Sequence, residues 1–283
     1  MVKVAVVILN FKVKEETLKC VASVEKSDYH DIEIIVVDNN SGDDIEDSLP
    51  KNNRTIFIQS GDNLGYTGGN NLGIKRALED KVDYIFVLNP DTEVTITAIS
   101  SLVTESEKEK IGIMGPKILF GDRKTIWYAG GLMDLANVLG QHRGVDEMDA
   151  GQYDKVEQTE FVTGGAMFVS SEVFEKIGLF DEKYFMYLED SDFCFRAQKM
   201  GYKILYNPKA VVYHENAKSA GLGSPLQDYF ITRNRMYFAS KFLSFRTRFA
   251  LFREAIRNIG SLVRRLAFFD FLSGNMGKGS YIQ

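Results

Sequence analysis

The feature that most constrains the fold is an alternation in the first hundred residues between apolar runs and segments with apolar residues at helical spacing. The apolar runs cover residues 3–10, 32–41, 54–60 and 84–88, and helical spacing occurs at 15–24 and 68–79. Strands that are apolar throughout and alternate with helices are typical of a parallel sheet covered on both faces. We therefore predict an α/β fold.

After residue 110 the pattern is less regular. Residues 111–120 and the glycine-containing stretch 126–144 indicate strands and turns of a mixed sheet. Residues 161–180 predict a strand running into a helix, and residues 187–215 predict a helix followed by two short strands. We therefore predict a mixed, mainly parallel sheet flanked by helices over residues 1–224, followed by a basic helical extension over 225–283.

The composition narrows the class of protein. The chain has 283 residues, of which 45% are hydrophobic and 26% charged, as in ordinary globular proteins. Cys20 and Cys194 each lie in an apolar segment, which indicates buried thiols in a reducing compartment rather than a disulfide. No leader-type region precedes the first strand, and no apolar run approaches the roughly 20 residues of a membrane span. We expect a cytoplasmic protein.

Polar residues follow three of the predicted core strands at the point where each strand ends. These are Asn10, the run Asp38-Asn39-Asn40, and Asn89-Pro90-Asp91. All are common turn formers, so turn chemistry alone is one interpretation. The other is a ligand site, because ligands of open α/β sheets bind outside the carboxyl ends of the strands. A carboxylate such as Asp91 can hold a divalent cation that a diphosphate also binds, and Asp38 can accept hydrogen bonds from a base or ribose.

The segment GDNLGYTGGNNLGIKRA, residues 61–77, favours binding of an anion. Gly65, Gly68 and Gly69 precede the predicted helix, so backbone N–H groups at the helix start could face an anion. Asn63, Asn70 and Asn71 add neutral donors suited to sugar or base edges. The segment matches neither the P-loop nor the G-x-G-x-x-G fingerprint.

Three carboxylates, Glu189, Asp190 and Asp192, precede a predicted helix over residues 193–200. Capping of the helix start accounts for Asp192, whereas the adjacent pair exceeds capping needs and favours a general base. His214 follows a strand and could supply a neutral imidazole to a metal held by Asp91. The other histidines, His30 and His142, lie in polar, loop-like sequence.

Taken in order, six segments resemble the inverting glycosyltransferases of family 2, especially their rhamnosyltransferase-like branch. The segments are VVILNFK, VVDNNS, NLGYTGGNNLGI, LNPDTEV, residues 161–204 and VVYHENAKSAG, which span roughly residues 2–220. The resemblance implies a Rossmann-like domain with the GT-A fold. Its first half, about residues 1–110, would bind the nucleotide, and its second half, residues 111–224, would bind the acceptor.

The resemblance also implies roles for the residues along the donor. Asp38 would contact the pyrimidine or ribose. The remaining nucleotide-sugar contacts would come from Asn10, Asn40, Asn63, Gly65, Asn70, Asn89 and Asp91, with Gly164 and Gly165 forming the wall near the transferred sugar.

For the chemistry, the resemblance implies that Asp190 is the catalytic base and that Glu189 touches the acceptor or donor sugar. Asp91 matches the last acid of the family's Asp-x-Asp motif and would bind Mg²⁺ or Mn²⁺ together with His214 and the diphosphate. One departure is that Asn89 replaces the first acid of that motif. A neutral carbonyl attracts a cation less than a carboxylate does, so we predict weak metal binding without the donor and firm binding with it.

The implied function is metal-dependent, inverting transfer of a sugar in cell-surface polysaccharide synthesis. The donor would be dTDP-rhamnose or a UDP-sugar, and the acceptor a glycan or a lipid-linked sugar. A nucleotide-sugar-binding scaffold without turnover is the alternative. A nucleotidyltransferase would need a glycine- and arginine-rich phosphate loop after the first strand, and LNFKVKEE contains none.

The extension is the basic part of an acidic chain. Residues 225–283 hold ten Lys or Arg and three Asp or Glu, whereas the whole chain has a net charge of -5. On one continuous helix a single apolar stripe would be formed by Phe245, Phe249, Phe252, Ile256, Ile259, Val263 and Leu266. One flank of that stripe would carry Arg246, Arg253, Arg257 and Arg264.

Two interpretations of this helix stay open. It could pack on the catalytic domain or on a second subunit, the latter giving a homo-oligomer. It could instead lie at an anionic membrane surface, peripheral on the inner face of the cell membrane, which suits an acceptor carried on a lipid. The acidic remainder of the chain argues against a nucleic-acid partner.

Overall fold

The structure is a computed structural model and describes residues 2–108, 111–215 and 223–282. The nucleotide-side half is built from β1 (Val4–Asn10), α1 (Lys14–Glu25), β2 (Ile32–Asp38), β3 (Thr55–Gln59), α2 (Gly65–Glu79), β4 (Tyr84–Leu88), β5 (Thr92–Val94) and α3 (Ala98–Ser106). A short 3-10 helix, Ile45–Ser48, lies between β2 and β3. The predicted strands and helices of this half are all present.

The following part of the chain completes the sheet. It comprises β6 (Ile111–Phe120), β7 (Ile126–Tyr128), β8 (Gly131–Asp134), β9 (Leu139–His142), β10 (Glu157–Gln158), β11 (Ala166–Ser170), α4 (Ser171–Ile177), α5 (Glu189–Lys199) and β12 (Lys203–His214). The main sheet has the order β10-β12-β6-β11-β4-β1-β2-β3, while β8 and β9 form a separate hairpin. Strands β4, β1, β2 and β3 are parallel, and β11 runs antiparallel between β4 and β6. The predicted mixed sheet is confirmed.

Alternate residues of the central strand β1 face opposite layers of helices. Val4, Val6 and Ile8 point into a core with α1 and α3, whereas Ala5, Val7 and Leu9 point into a second core with α2, α4 and α5. Both cores exclude water from the middle of the sheet, and this double burial explains why β1 is apolar at every position.

Helix α2 approaches β1 closely because it carries glycines on its inner face. A Cβ atom added at Gly69 would lie 2.4 Å from Leu9, and one at Gly73 would lie 2.5 Å from Val7. The prediction that Gly68 and Gly69 precede the helix is therefore wrong: the helix begins at Gly65, and both residues are buried within it.

A second difference concerns residues 203–214, which form one strand rather than the two short strands predicted. Strand β12 pairs with β6 on both sides of an irregularity between Asn207 and Val211. Pro208 lies inside this irregularity, where a residue without a backbone N–H can be accommodated.

Three helices follow: α6 (Pro225–Phe242), α7 (Phe245–Arg257) and α8 (Leu262–Ser273). The prediction of one continuous helix carrying seven apolar residues is wrong, because residues 258–261 separate α7 from α8. Gly260 is a poor helix former, and the side chain of Ser261 caps α8 by accepting a hydrogen bond from the N–H of Arg264. Ile259, Val263 and Leu266 are consequently half-buried and pack against the cores of the helical unit.

The helical unit is attached to the sheet domain through buried polar contacts from α6. Lys241 of α6 forms ion pairs with Asp181 and Asp192, and Arg264 of α8 pairs with Asp228 instead of lining the predicted stripe. None of the helices in the described part of the chain has both the length and the hydropathy to cross a membrane.

Candidate active site

The carboxyl ends of β1 and β2 form a hydrogen-bonded pair of polar residues. Asn10 and Asp38 are register partners in adjacent parallel strands, and the Asn10 amide donates to the Asp38 carboxylate over 2.8 Å. Asn10 is fully buried and also donates to Ser41 and Asp43. Its side chain therefore organises the carboxylates at this sheet edge.

Asp38 is held as an anion by its neighbours. Burial raises the pKa of this carboxyl, but hydrogen bonds from Ser41, Asn10 and Gln59 outweigh burial and lower the pKa below its usual value. Asn40, two residues on, is exposed and has φ of 63°. The loop after β2 thus presents an ionised acid and an exposed amide.

A second set of amides lies at the start of α2. The Asn63 carbonyl accepts from the Asn39 amide (3.0 Å) and from the N–H of Gly65 (2.9 Å). Gly65 has φ of 71°, and a Cβ there would lie 2.5 Å from the ring of Phe185, so only glycine fits. The start of α2 is thereby fixed between the β2 loop and the segment before α5.

Asn70 and Asn71 lie inside α2 rather than at its open end. Both are buried. Asn71 donates to the carbonyl of Phe180 and accepts from its N–H, which ties α2 to the α4–α5 connection. Asn70 donates to the carbonyl of Tyr66, and its own carbonyl has no partner among the described residues.

Asp91 and His214 meet at the carboxyl end of β4. The C-terminal end of β12 pairs with β5, which places His214 opposite Thr92. Its Nε2 atom lies 3.0 Å from a carboxylate oxygen of Asp91. The imidazole is buried and packs edge-on against the ring of Trp127, with centroids 4.5 Å apart.

The Gly164–Gly165 segment joins this corner to the carboxylates of α5. β11 runs antiparallel to β4, so the glycines that precede β11 lie at the carboxyl end of β4. Gly165 accepts a hydrogen bond from the backbone N–H of Asn89, and Gly164 donates its N–H to Asp190 over 3.0 Å. A Cβ at Gly164 would lie 2.7 Å from the hydroxyl of Tyr66, which donates to the Gly164 carbonyl.

Asp190 and Glu189 differ in how many hydrogen bonds stabilise the ionised carboxylate against burial. Burial raises the pKa of Asp190, although N–H groups of Gly164 and Ser191 donate to the carboxylate and oppose this. Burial, and then the charge of Asp190, raise the pKa of Glu189 well above its usual value. One Glu189 carboxyl oxygen is buried without a hydrogen-bond partner among the described residues. The pair thus favours an ionised Asp190 beside a protonated Glu189.

Asp192 plays a structural role other than the predicted capping. The residue preceding α5 makes no side-chain capping bond. Asp192 is instead completely buried, where its carboxylate accepts from Tyr184 (3.0 Å) and Arg196 (2.7 Å) and pairs with Lys241. It joins the sheet domain to α6.

Sequence reasoning missed the aromatic contacts of the site. Trp127, the single tryptophan, lies between His142 and His214, with ring centroids 4.4 and 4.5 Å away. The prediction of polar surroundings for His142 is wrong, since it also contacts the ring of Tyr128 and burial lowers its pKa to about 4. The uniqueness of the tryptophan was the available signal.

Sequence reasoning also missed a clamp on the segment before α5. The amide of Asn234 donates to the carbonyls of Tyr184 (3.0 Å), Met186 (2.8 Å) and Tyr187 (2.9 Å). The neighbouring Arg233, fully buried, donates to Tyr184 as well. Helix α6 therefore sets the course of the chain that leads into Glu189 and Asp190.

Asp91 and His214 could hold a cation only if a bound ligand supplied further donor atoms. A carboxylate and an imidazole are acceptable donors to Mg²⁺ or Mn²⁺. No group of three or more His, Cys, Asp or Glu side chains able to hold a metal occurs among residues 2–108, 111–215 and 223–282. A divalent cation here would thus have two protein ligands and require further oxygens from a bound diphosphate.

Asp190 contacts the glycine segment that also contacts Asn89, and this arrangement at the end of the sheet is suited to a group-transfer enzyme. The family model "Glycosyl transferase family 2" matches residues 5–178. The chain belongs to this family of glycosyltransferases, and the resemblance found in the sequence is confirmed.

Curated relatives point the same way. A low-salt glycan biosynthesis hexosyltransferase of Haloferax volcanii is 27% identical over 85% of this chain and 76% of its own. A dTDP-rhamnosyl transferase of Shigella flexneri is 28% identical over 71% of this chain and 68% of its own. An N-acetylglucosaminyl-diphospho-decaprenol L-rhamnosyltransferase of Mycobacterium tuberculosis is 27% identical, covering 71% and 72%.

Solved structures confirm the predicted GT-A fold. GalNAc-T7 with UDP, GalNAc and Mn²⁺ matches 76% of this chain and 43% of its own, with a TM-score of 0.63 and 19% identity. TarS of S. aureus matches 99% of this chain and 75% of its own, with a TM-score of 0.58 and 14% identity. At these identities the likeness concerns the fold alone.

Proposed function

We propose that the protein transfers rhamnose, with inversion, from a nucleoside-diphosphate donor to a hydroxyl group of a glycan or lipid-linked acceptor in cell-surface polysaccharide synthesis. The observation that carries the proposal is the Gly164–Gly165 wall, which binds Asp190 on one side and adjoins Asn89 on the other. The proposed base and the proposed diphosphate site would thus lie on either side of this glycine segment. The names of the Shigella and Mycobacterium relatives support rhamnose as the sugar, and that of the Shigella relative supports dTDP-rhamnose as the donor. A UDP-sugar is the second donor that we propose.

Donor binding would use the sheet edge and the start of α2. The ionised Asp38 would accept from the ribose or pyrimidine, aided by Asn40. Asn10 would act through Asp38, because its own polar atoms are engaged with protein partners. Asn63 and Gly65 would hold the α2 start against the donor, and Asn70 would support that turn from within the helix.

Asp91 and His214 would hold Mg²⁺ or Mn²⁺ together with the diphosphate, while Asn89 would contribute a neutral amide beside them. When bound, the cation would stabilise negative charge on the leaving diphosphate. The protein's own part is to position the diphosphate at this corner and to leave the anomeric carbon facing Asp190.

Asp190 would act as the general base of a direct displacement. It removes the proton from the acceptor hydroxyl as that oxygen bonds to the anomeric carbon, and the bond from this carbon to the diphosphate breaks. The nucleoside diphosphate leaves with the bonding electrons. Glu189, protonated, would donate a hydrogen bond to a sugar hydroxyl through its unpartnered oxygen.

We predict that Mn²⁺ binds weakly to the protein alone and at least tenfold more tightly once a nucleoside diphosphate is present, because only two protein ligands meet at the corner. Isothermal titration of Mn²⁺ with and without dTDP or UDP measures this. Asp91→Asn should abolish the gain, whereas Asp62→Asn, at an exposed carboxylate, should keep it. Tight binding of Mn²⁺ to the ligand-free protein would contradict the assignment.

The pH dependence of turnover should show an acid limb set by Asp190. The base must be ionised, so kcat should fall as the pH drops through its pKa. Because burial raises that pKa, the fall should occur above the range of an ordinary aspartate, about pH 4. The measurement is kcat from pH 4 to 8, with the donor dissociation constant followed in parallel. A flat profile down to pH 4 would exclude Asp190 as the base.

The donor itself can be identified by thermal shift. Panels of dTDP-, UDP- and GDP-sugars with Mn²⁺ or Mg²⁺ should give the largest stabilisation with dTDP-rhamnose. Release of nucleoside diphosphate by slow donor hydrolysis would distinguish the enzyme from a binding scaffold of the same fold. Stabilisation by a donor without any hydrolysis or transfer would favour the scaffold.

We further propose a cytoplasmic location, peripheral at the inner face of the cell membrane. The name of the mycobacterial relative places its acceptor sugar on a decaprenol lipid. An acceptor of that kind would require the protein to work next to a membrane.

A further inference from the structure

Helix α7 presents a row of large apolar side chains to solvent. The exposed fractions are 74% for Phe245, 50% for Phe249, 37% for Phe252 and 46% for Ile256. Their spacing of four, three and four residues places them along one line of the helix. The buried residues of α7, Leu251 and Ala255, lie on a different side and face the protein. The exposed row is therefore not the packing face of α7.

Helix α8 extends this apolar surface. Phe268 lies 5.3 Å from Phe252 and 5.7 Å from Phe269, measured between ring centroids. Phe269 is itself 53% exposed. We call the surface formed by Phe245, Phe249, Phe252, Ile256 and Phe269 the aromatic face. A group of exposed apolar side chains of this kind is typical of an interaction site.

The charges around the aromatic face are positive. Arg246, Arg253 and Arg257 follow one flank of the α7 row at helical spacing and are exposed. None of the three has an ion pair with another described residue, whereas Arg235 and Arg264 of the same helical unit are paired with Glu254 and Asp228. Arg253 lies over the ring of Phe249, with its guanidinium carbon 6.0 Å from the ring centroid. The flank is therefore available to an anionic partner.

We propose that the aromatic face docks on an anionic phospholipid surface. The aromatic rings would enter the boundary between headgroups and acyl chains while the arginine flank binds lipid phosphates. A symmetric contact between two aromatic faces would pair the apolar side chains, but the face itself offers no anionic group to the arginine flank. The proposal deepens the membrane location given above and rests on it for its biological role.

Docking through this face would also orient the active site. The α7–α8 pair packs on α6, and α6 clamps the segment that leads to Asp190 through Asn234. A membrane bound to the aromatic face would thus be connected to the proposed base through one packed unit. This connection suits an acceptor whose sugar protrudes from the membrane.

Vesicle flotation of the full-length protein tests the proposal. Phosphatidylcholine vesicles containing about one-third phosphatidylglycerol should bind the protein, and pure phosphatidylcholine vesicles should bind it far less. Phe245→Ser/Phe249→Ser should lose most of the binding. Arg246→Gln/Arg253→Gln/Arg257→Gln should lower the affinity for these vesicles about fivefold per arginine, on the order of 100-fold in all. Raised salt should weaken binding of the wild type.

Matched controls separate this face from the rest of the surface. Ile96→Ser/Met200→Ser removes apolar side chains of similar exposure, 61% and 62%, and Lys19→Gln/Lys75→Gln/Lys155→Gln removes three exposed cations. Both should float like the wild type. Flotation of the phenylalanine variant at the wild-type level, or no flotation of the wild type, would overturn the proposal. So would a wild-type dimer in ultracentrifugation that this variant dissociates, because the occupant would then be a second copy.

The flotation result does not depend on whether the proposed reaction is correct. Stabilisation by donor in the thermal-shift assay should be unchanged in all four variants, because none alters the sheet edge. No flotation of the wild type, with donor stabilisation intact, refutes membrane docking alone. Flotation without any donor stabilisation refutes the proposed function alone.

Discussion

Asp190→Asn is expected to lower kcat by a factor of about 10²–10⁴ while leaving donor binding nearly unchanged, because the substitution removes the proposed general base and little volume. The asparagine oxygen can still accept from the N–H of Gly164, as the carboxylate does over 3.0 Å. The Gly164–Gly165 wall should therefore stay in place. Initial rates of transfer or of donor hydrolysis measure kcat, and thermal shift with the donor measures binding.

Two comparisons make the result specific. Glu182→Gln changes an exposed carboxylate on the same segment and should retain most of the wild-type rate. In Asp190→Asn itself the pKa of Glu189 should fall, because the charge of Asp190 is one of the two main causes that raise it. If Asp190→Asn turned over at the wild-type rate, Glu189 would be the next candidate for the base.

Much of the site could be predicted from sequence because its residues stand at the ends of apolar strands. A strand such as β4 is apolar because it is central. The polar residues Asn89 and Asp91 follow immediately, at the edge of the sheet that carries the proposed site. The same reasoning found Asp38 after β2. Since parallel strands place their carboxyl ends at one edge, the sequence sufficed to bring these positions together.

The rest depended on contacts between distant segments. Tyr66 contacts Gly164 across 98 residues of chain, and Asn234 contacts Tyr187 across 47. Nothing local marks either residue, since a tyrosine or an asparagine on a helix is ordinary. Trp127 lies between two histidines only because β12 brings His214 back to the edge of the sheet.

The helical extension shows how a correct pattern can give a wrong element. The alternating spacing of apolar residues from Phe245 onward is real, yet it continues across Gly260 and Ser261, where one helix ends and another begins. Periodicity alone cannot distinguish a continuous helix from two helices in phase. The break changes the conclusion, because Ile259 and Val263 are partly buried against the cores of the helical unit and the exposed row on α7 ends at Ile256.

Asn234→Asp is expected to lower kcat by on the order of 10², because it releases the segment that positions Asp190. Phe185, Tyr187 and Leu188 have φ values of 65°, 68° and 70°, a conformation that costs about 1–3 kcal/mol per residue unless its surroundings hold it. The Asn234 amide holds it by donating to three carbonyls of this segment. Aspartate has nearly the same shape but cannot donate when ionised. The carbonyls of Met186 and Tyr187 then lose this donor, and that of Tyr184 keeps only Arg233.

The free energy of unfolding should also fall, by about 2–3 kcal/mol, because buried carbonyls are left without a donor. Urea unfolding measures this loss, and kcat measured at a temperature where the variant is fully folded separates positioning from stability. Arg235→Ala, at the next residue of α6, removes a partly exposed pair with Glu254 and should change kcat less than twofold. Reduced stability with an unchanged kcat would show that the clamp supports the fold and not the base. A fall in kcat while the variant is fully folded, absent in Arg235→Ala, would identify Asn234 as a positioning residue for Asp190.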